Sequence, residues 1–379
     1  VIIEAFLRWA ETAKVGDRAR AANALGRAFL GSTMPAGERA SAEMALIHLL
    51  DDPSPRVRLA LAEALAHARA APRSVILSLA QDQVEISSRV IISSPVLTDA
   101  DLIDLVGRGD GLTRILIASR GEVSQAVADA LVEVGDEDEI LCLVENEGTI
   151  LSKAALKRIA ERFGHVPEVR SVLCERESLP ADARHVLVQQ VSDALSGSGL
   201  VQATVSARRI ERVTFEATQA ATVAIAGAAV QEDIPSLIEH LRLSGRLTPS
   251  FLMQTLCAGK VDFFAAAIVN LSGCEERHVR AILATGRMHA VRALYESAGL
   301  KRDVSLIFLE ATLLWRKASR AAFGKKLESI SFRVLKSFAR ARSAFGAGQE
   351  LLDMIEKLHV AEQRQMARDF ASLAALSAA

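Results

Sequence analysis

A repeat of roughly 27 residues constrains this chain more than any other feature. Segments beginning at Val57, Val84, Leu112, Glu139 and Val166 each read as a helix, a short break and a second helix. The first begins at DDPSPRVRLALAEALA, residues 51–66. Ser54 is placed to cap its helix and Pro55 suits the first turn. Val57, Leu61, Ala64, Leu65 and Ala68 then form an apolar stripe at helical spacing. The second helices start alike, at Leu97-Thr98, Val123-Ser124, Leu151-Ser152 and Leu179-Pro180, 26, 28 and 28 residues apart. Thr or Ser caps free backbone N–H groups, and the apolar residue before it can staple the chain to the first turn. A pair of short helices cannot bury its apolar face alone, so such pairs must stack.

Composition agrees. Half of the 379 residues are hydrophobic but only 4% are aromatic, so the core is built of Ala, Leu, Val and Ile, which suit closely packed helices. The formal net charge is −1, so no global field selects nucleic acid or a membrane, and nucleic acid is not favoured as a partner. No apolar run is long enough to span a bilayer, and Arg8 interrupts any secretory leader. Cys142, Cys174, Cys257 and Cys274 are dispersed and read as reduced thiols of a cytoplasmic protein.

The period fails after Ser192, and SGSG at 196–199 reads as a linker. Beyond it, helices are expected over about 203–229, 233–243, 249–257, 260–270, 275–284, 287–297 and 303–315. Gly245, Gly259, Gly273, Gly286 and Gly299 punctuate them at intervals of 14, 14, 13 and 13. The expected fold is therefore all-α. Capping helices occupy 1–50, an α-solenoid of helical pairs 51–195 and a linker 196–206. A second helical domain follows over 207–316, then a basic amphipathic segment and a C-terminal helix over 317–379.

The lines SPVLTDADLIDLV, SQAVADALVEVGD and LTPSFLMQTLCAGKVDFFAAAIVNLSG resemble the bacterial "domain of unknown function 2336" family, common in alphaproteobacteria. The repeats themselves resemble HEAT-like and leucine-rich-variant α-solenoids. The family resemblance spans about 45–315, with the tail after 316 less typical of it. It implies a helical bacterial adaptor protein, and supplies no activity, cofactor or site residue.

No phosphate loop, HExxH or GxSxG motif is present, and neither an enzyme nor a cofactor is expected. Cys274 and His278, with Glu275, Glu276 and a distant His289, lack further ligands and read as an ordinary helix start rather than a metal site. The sharpest signal is the segment 316–342, with nine basic residues and one acid. Lys325, Lys326, Arg333, Lys336, Arg340 and Arg342 with Phe332 and Phe338 are the candidate binding residues, for a protein partner or, as the weaker alternative, an anionic membrane. Arg208, Arg209 and Arg212 form an alternative site for a nucleotide or other anion at the domain junction. The apolar seam of Leu351, Leu352, Ile355, Leu358, Met366, Phe370 and Leu373 suggests a dimer or partner helix. Arg56, Arg58, Arg89, Arg114, Arg120, Lys153, Lys157 and Arg158 recur near repeat-helix starts, and some of them are candidates for reading an acidic partner. The functional expectation is a non-enzymatic, regulatory scaffold or adaptor.

Overall fold

The computed structural model describes residues 8–31, 34–320, 329–339 and 346–378. It is all-α. Among the described residues the only β feature is an isolated bridge between Val123 and Thr149. Contacts divide the chain into two units, Val1–Leu179 and Pro180–Ala379. The 196–206 stretch carries a short helix, Gly199–Thr204, and the helix before it, Ala181–Gly197, belongs to the second unit. The reason lies in burial: Ala181 joins the core of that unit.

In the first unit the repeat frame becomes two layers. Helices Pro55–Leu65, Val84–Ser93, Gly111–Ala118, Glu137–Glu145 and Pro167–Glu175 stack in sequence as one layer. The second helices, Arg73–Ala80, Asp99–Arg108, Gln125–Val134 and Lys153–Phe163, lie in the other. Val15–Gly31 and Ala36–Leu50 continue the two layers N-terminally, against 55–65 and 73–80 respectively. The stripes of the frame form the core: Val57, Leu61, Leu65, Ile86, Val90, Val127, Leu131, Leu156 and Ile159 are all buried.

The caps follow the sequence closely. Thr98, Ser124 and Ser152 accept the N–H of Asp101, Val127 and Ala155 at 3.4, 3.4 and 2.9 Å. Thr248 does the same for Phe251 at 3.2 Å. Ser54 differs. It holds the cap position, but its side chain makes no capping bond, and Pro55 alone marks the start.

Long donors tie each pair to the next. Arg18 grips Asp52 with Nε and NH2 at 2.7 and 3.0 Å, and Arg58 grips Asp82 at 2.6 and 3.0 Å. Each also donates to a carbonyl just before its own helix, Ala13 and Asp52, as Arg114 and Arg170 do to Gly109 and Gly164. Arg120 donates to the carbonyls of Ile91 and Ser94, Arg162 to Val132, Glu133 and Gly135, and Arg176 to Val144 and Asn146. These carbonyls lie at helix C-termini and lack intrahelical partners. Of the cations read from sequence as a partner-facing set, Arg58, Arg114 and Arg120 are thus spent inside the array.

Burial pushes the carboxyls of Asp52 and Asp82 up, but hydrogen bonds from Arg18 and Arg58 and from the N–H groups of Ser54 and Gln83 outweigh it. Both end below the usual carboxylate range. Their stabilisation is therefore complete above the ordinary carboxyl pKa of about 3.9 and is lost as pH falls through the lower folded values. Acid titration followed by circular dichroism should give an unfolding midpoint that moves to higher pH in Asp82→Asn, and an unmoved midpoint contradicts this assignment.

In the second unit, helices Ile234–Leu243, Pro249–Cys257, Val261–Ser272, Glu276–Thr285, Met288–Ser297 and Arg302–Arg320 enclose a core with three mutually packed rings, Phe264, Tyr295 and Phe308, 5.6 to 6.1 Å apart. The five punctuating glycines all adopt left-handed backbone, φ 64 to 84°. There each ends a helix with the chain folding back, as in Leu300 N–H to Tyr295 O at 3.1 Å. The long helix expected over 203–229 is Ala207–Ala228, separated by Val205 and Ser206 from the short one before it.

Candidate functional site

The described part of the basic segment forms helix Ile330–Phe338, capped by Ser329, which accepts the Phe332 N–H at 3.3 Å. Ile330, Val334 and Phe338 share one face at helical spacing, and that face is packed: Val334 is buried and the other two lie against the core. Phe332 lies 5.2 Å from the His359 ring, with Lys336 Nζ 6.0 Å from the Phe332 ring centre. Arg333 is half-buried and Lys336 exposed. Lys325, Lys326, Arg340 and Arg342 fall outside the described residues. The two phenylalanines are thus turned to neighbouring groups of their own chain.

The C-terminal helix Gly346–Ala378 packs on 330–338, on 302–320 and on 249–257. Its Leu351, Leu352 and Ile355 join the core. A polar chain then fastens it. Gln363 donates to His359 Nε2 at 3.1 Å, which leaves the hydrogen on Nδ1. Nδ1 faces Ser329 Oγ at 3.3 Å, Ser329 and Ser331 hydroxyls are 2.9 Å apart, and Ser331 donates to Glu362 Oε2 at 2.5 Å. Ser331 is fully buried. Serine, histidine and a carboxylate meet here, yet the order is not that of an activated nucleophile. The Ser331 proton goes to the carboxylate, and His359 donates rather than accepts. Cys257 adds no nucleophile: burial, then the charge of Glu362, pushes its thiol up to about 12. The chemistry of the cluster is that of a fastening between two helices.

Beyond Glu362 the helix leaves this cover. The face that carries Leu352, Ile355 and His359 continues through Glu362 to Met366 and Phe370, spaced by three and four residues. Met366 is 57% exposed and Phe370 75%, and Val360 beside them 42%. The apolar seam read from sequence is therefore divided: Leu351, Leu352 and Ile355 are core, Met366 and Phe370 are surface, and the Leu373 side chain lies outside the described ones.

The alternative anion residues, Arg208, Arg209 and Arg212, are exposed in the first turns of 207–228, and Arg212 lies 4.0 Å from Glu216. Cys274 precedes its helix, with Glu275 at the cap, and stands half-buried, while His278 and His289 are exposed. Sequence reasoning missed the Ser329–Ser331–His359–Glu362 chain. Its members are some 30 residues apart and belong to no motif, and the signal available was only that polar residues interrupt two otherwise apolar faces.

An all-α chain of stacked pairs with a fastened C-terminal helix is the class this geometry defines. The family model described as "Uncharacterised protein conserved in bacteria (DUF2336)" matches residues 86–367, and the chain belongs to that family. The match begins later than the resemblance read from sequence and runs through the tail to the fastened helix. Burial of Val334, Leu351, Leu352 and Ile355 in one core with 234–314 explains why the tail is included. No curated protein and no solved structure matches the chain. Among the described residues no helix is long and apolar enough to cross a membrane.

Proposed function

We propose that the protein is a non-enzymatic scaffold or adaptor of the bacterial cytoplasm, with a regulatory role, that holds a protein partner through the distal half of its C-terminal helix. One observation carries this reading. A continuous helical face is core up to Ile355 and fastened at Glu362, and then presents Met366 and Phe370 to solvent. Apolar groups on a firmly held helix suit docking of a second helix or a groove. A second copy of the chain is one form such a partner can take. The two-layer array supports the same reading, since its arginines lock successive pairs into a stiff frame for many weak contacts.

Affinity capture from the native host tests it. A cut at 315 would strip Val334 and Leu352 from the core, so the shortened chain should end at residue 364, past the fastening. The whole chain is expected to retain a partner, or its own untagged copy, that the shortened chain and a Met366→Asp/Phe370→Asp chain lose. Capture of no protein by the whole chain, or equal capture by all three, overturns the reading.

A further inference from the structure

The first layer of the N-terminal unit has an outward side that repeats from helix to helix. Helices 84–93, 111–118, 137–145 and 167–175 turn inward the sides that carry Ile86 and Val90, Ile117, Ile140 and Leu143, and Val169 and Leu173. The opposite side of each holds four positions spaced by three, one and three residues. They are 85, 88, 89 and 92, then 112, 115, 116 and 119, then 138, 141, 142 and 145, then 168, 171, 172 and 175. None of these positions is buried. Neighbouring helices run parallel, start beside start and end beside end. Arg114 Nε lies 3.2 Å from Glu139 Oε1 beside two starts, while Arg120, Asn146 and Arg176 each reach from one helix end to the end before it. The outward positions therefore align in rows across the array.

The middle of this face is apolar. Ile115, Leu116, Leu141 and Val172 are half-buried along it, and Leu112 and Ile92 beside them are 54% and 39% exposed. Acids border it. Glu85, Asp138 and Glu168 follow the helix starts and Glu145 and Glu175 the helix ends, all exposed. No ion pair within the chain neutralises these five among the described residues. Arg89 is the one cation at the outward positions, because Arg114 and Arg120 are withdrawn between helices. That balance selects the occupant. Phosphate-rich surfaces, nucleic acid and anionic lipid alike, are repelled by it. A second copy laying the same face against it would meet like charge. No three His, Cys, Asp or Glu side chains converge on a metal site among the described residues. What complements the face is a row of apolar side chains flanked by cations.

We propose that this face binds a basic amphipathic helix of a partner protein. The partner's apolar side chains lie on Leu112, Leu116 and Leu141, and its Lys or Arg side chains lie over the acidic rows. Three spacings of about 8–10 Å separate the first and last of the four helices, so at about 1.5 Å per residue some 18 residues span them. The partner is opposite in sign to the acidic one expected from the sequence. The face belongs to the first unit and the C-terminal helix to the second, so neither assignment rests on the other.

The test uses two fluorescein-labelled synthetic peptides of that length. Both carry leucines at the same helical spacing, and the flanking positions are lysine in one and glutamate in the other. Fluorescence anisotropy is followed as the whole chain is added at constant low salt. The lysine peptide is expected to bind saturably, one per chain, and the glutamate peptide not to bind. Ile92→Ser/Leu112→Ser removes apolar contacts and Glu145→Lys/Glu175→Lys reverses two of the bordering acids, and each should weaken the lysine peptide about tenfold or more. Asp193→Lys/Glu211→Lys makes the same change of charge at exposed positions of the second unit, and should leave the affinity within about twofold. All six positions are exposed, circular dichroism reports whether each variant is folded, and the two variants of the face are independent, so one that does not fold leaves the other to decide. The chain ending at residue 364 should bind as the whole chain does, which separates this result from that of partner capture. No saturable binding of the lysine peptide, equal binding of the two peptides, unweakened binding by a folded variant of the face, or an equal loss in Asp193→Lys/Glu211→Lys overturns the proposal.

Discussion

Leu352→Ala is expected to destabilise the second unit by about 2–5 kcal/mol, the cost of emptying a fully buried leucine position. Leu352 is completely buried in the core cluster that also contains Phe251, Phe263 and Ile307. Phe370→Ala, on the same helix and with a larger side chain removed, should cost under about 0.5 kcal/mol, because that ring is exposed. Two units need not unfold together, so a single melting point is a poor readout. Hydrogen exchange followed by mass spectrometry resolves them. Leu352→Ala should speed exchange across 234–320 and leave 55–175 unchanged, while Phe370→Ala changes neither. Equal effects of the two substitutions would show that the helix is not divided into a packed and a free half.

The second large effect belongs to the corner between repeats. Asn146 donates from Nδ2 to the carbonyls of Ala118 and Arg120, both at 2.7 Å, and accepts the Gly148 N–H at 2.9 Å. Across the same corner Val123 N–H donates to Gly148 O and Ile150 N–H to Val123 O, both at 3.1 Å. Asn146→Leu keeps the bulk and removes three partners. Each buried polar group left unmet costs about 1–3 kcal/mol, so a total near 3 kcal/mol is expected after partial relaxation. Exchange through opening of 111–163 should rise about a hundredfold. Gly148→Ala should act in the same direction by another route, since a Cβ there would sit 2.0 Å from Gly121 O. A change below threefold in either variant would mean that the corner does not hold the repeats together.

What was legible in the sequence was local. Caps at Thr98, Ser124, Ser152 and Thr248 and stops at Gly245, Gly259, Gly273, Gly286 and Gly299 depend on one residue and its immediate backbone. Their pattern therefore marked helix starts and ends to within a few residues. Stripes such as Val57, Leu61 and Leu65 marked the core for the same reason. Ser54 shows the margin of that logic, for residue type and position were right and the side chain still makes no cap. What was not legible depends on partners far along the chain. Arg58 and Arg120 read as surface cations because Asp82 and the carbonyls of Ile91 and Ser94 are 24, 29 and 26 residues away. The pairing of His185 with His240 spans 55 residues and leaves no periodic trace. The tail was the hardest case. Its basic charge drew attention to Lys336 and Arg333, whereas its structural role rests on Val334, Leu352 and a serine–carboxylate contact.

The account stands on the free face at the end of the C-terminal helix. A photoreactive phenylalanine analogue at position 370, irradiated in living cells of the native host, tests that face directly, with the same analogue at exposed Leu200 as the control. The expected result is a discrete cross-linked species, from position 370 and not from 200, whose second component is another protein or a second copy of the chain. No adduct from position 370, or cross-links only to residues within the same molecule, would contradict an adaptor working through this helix.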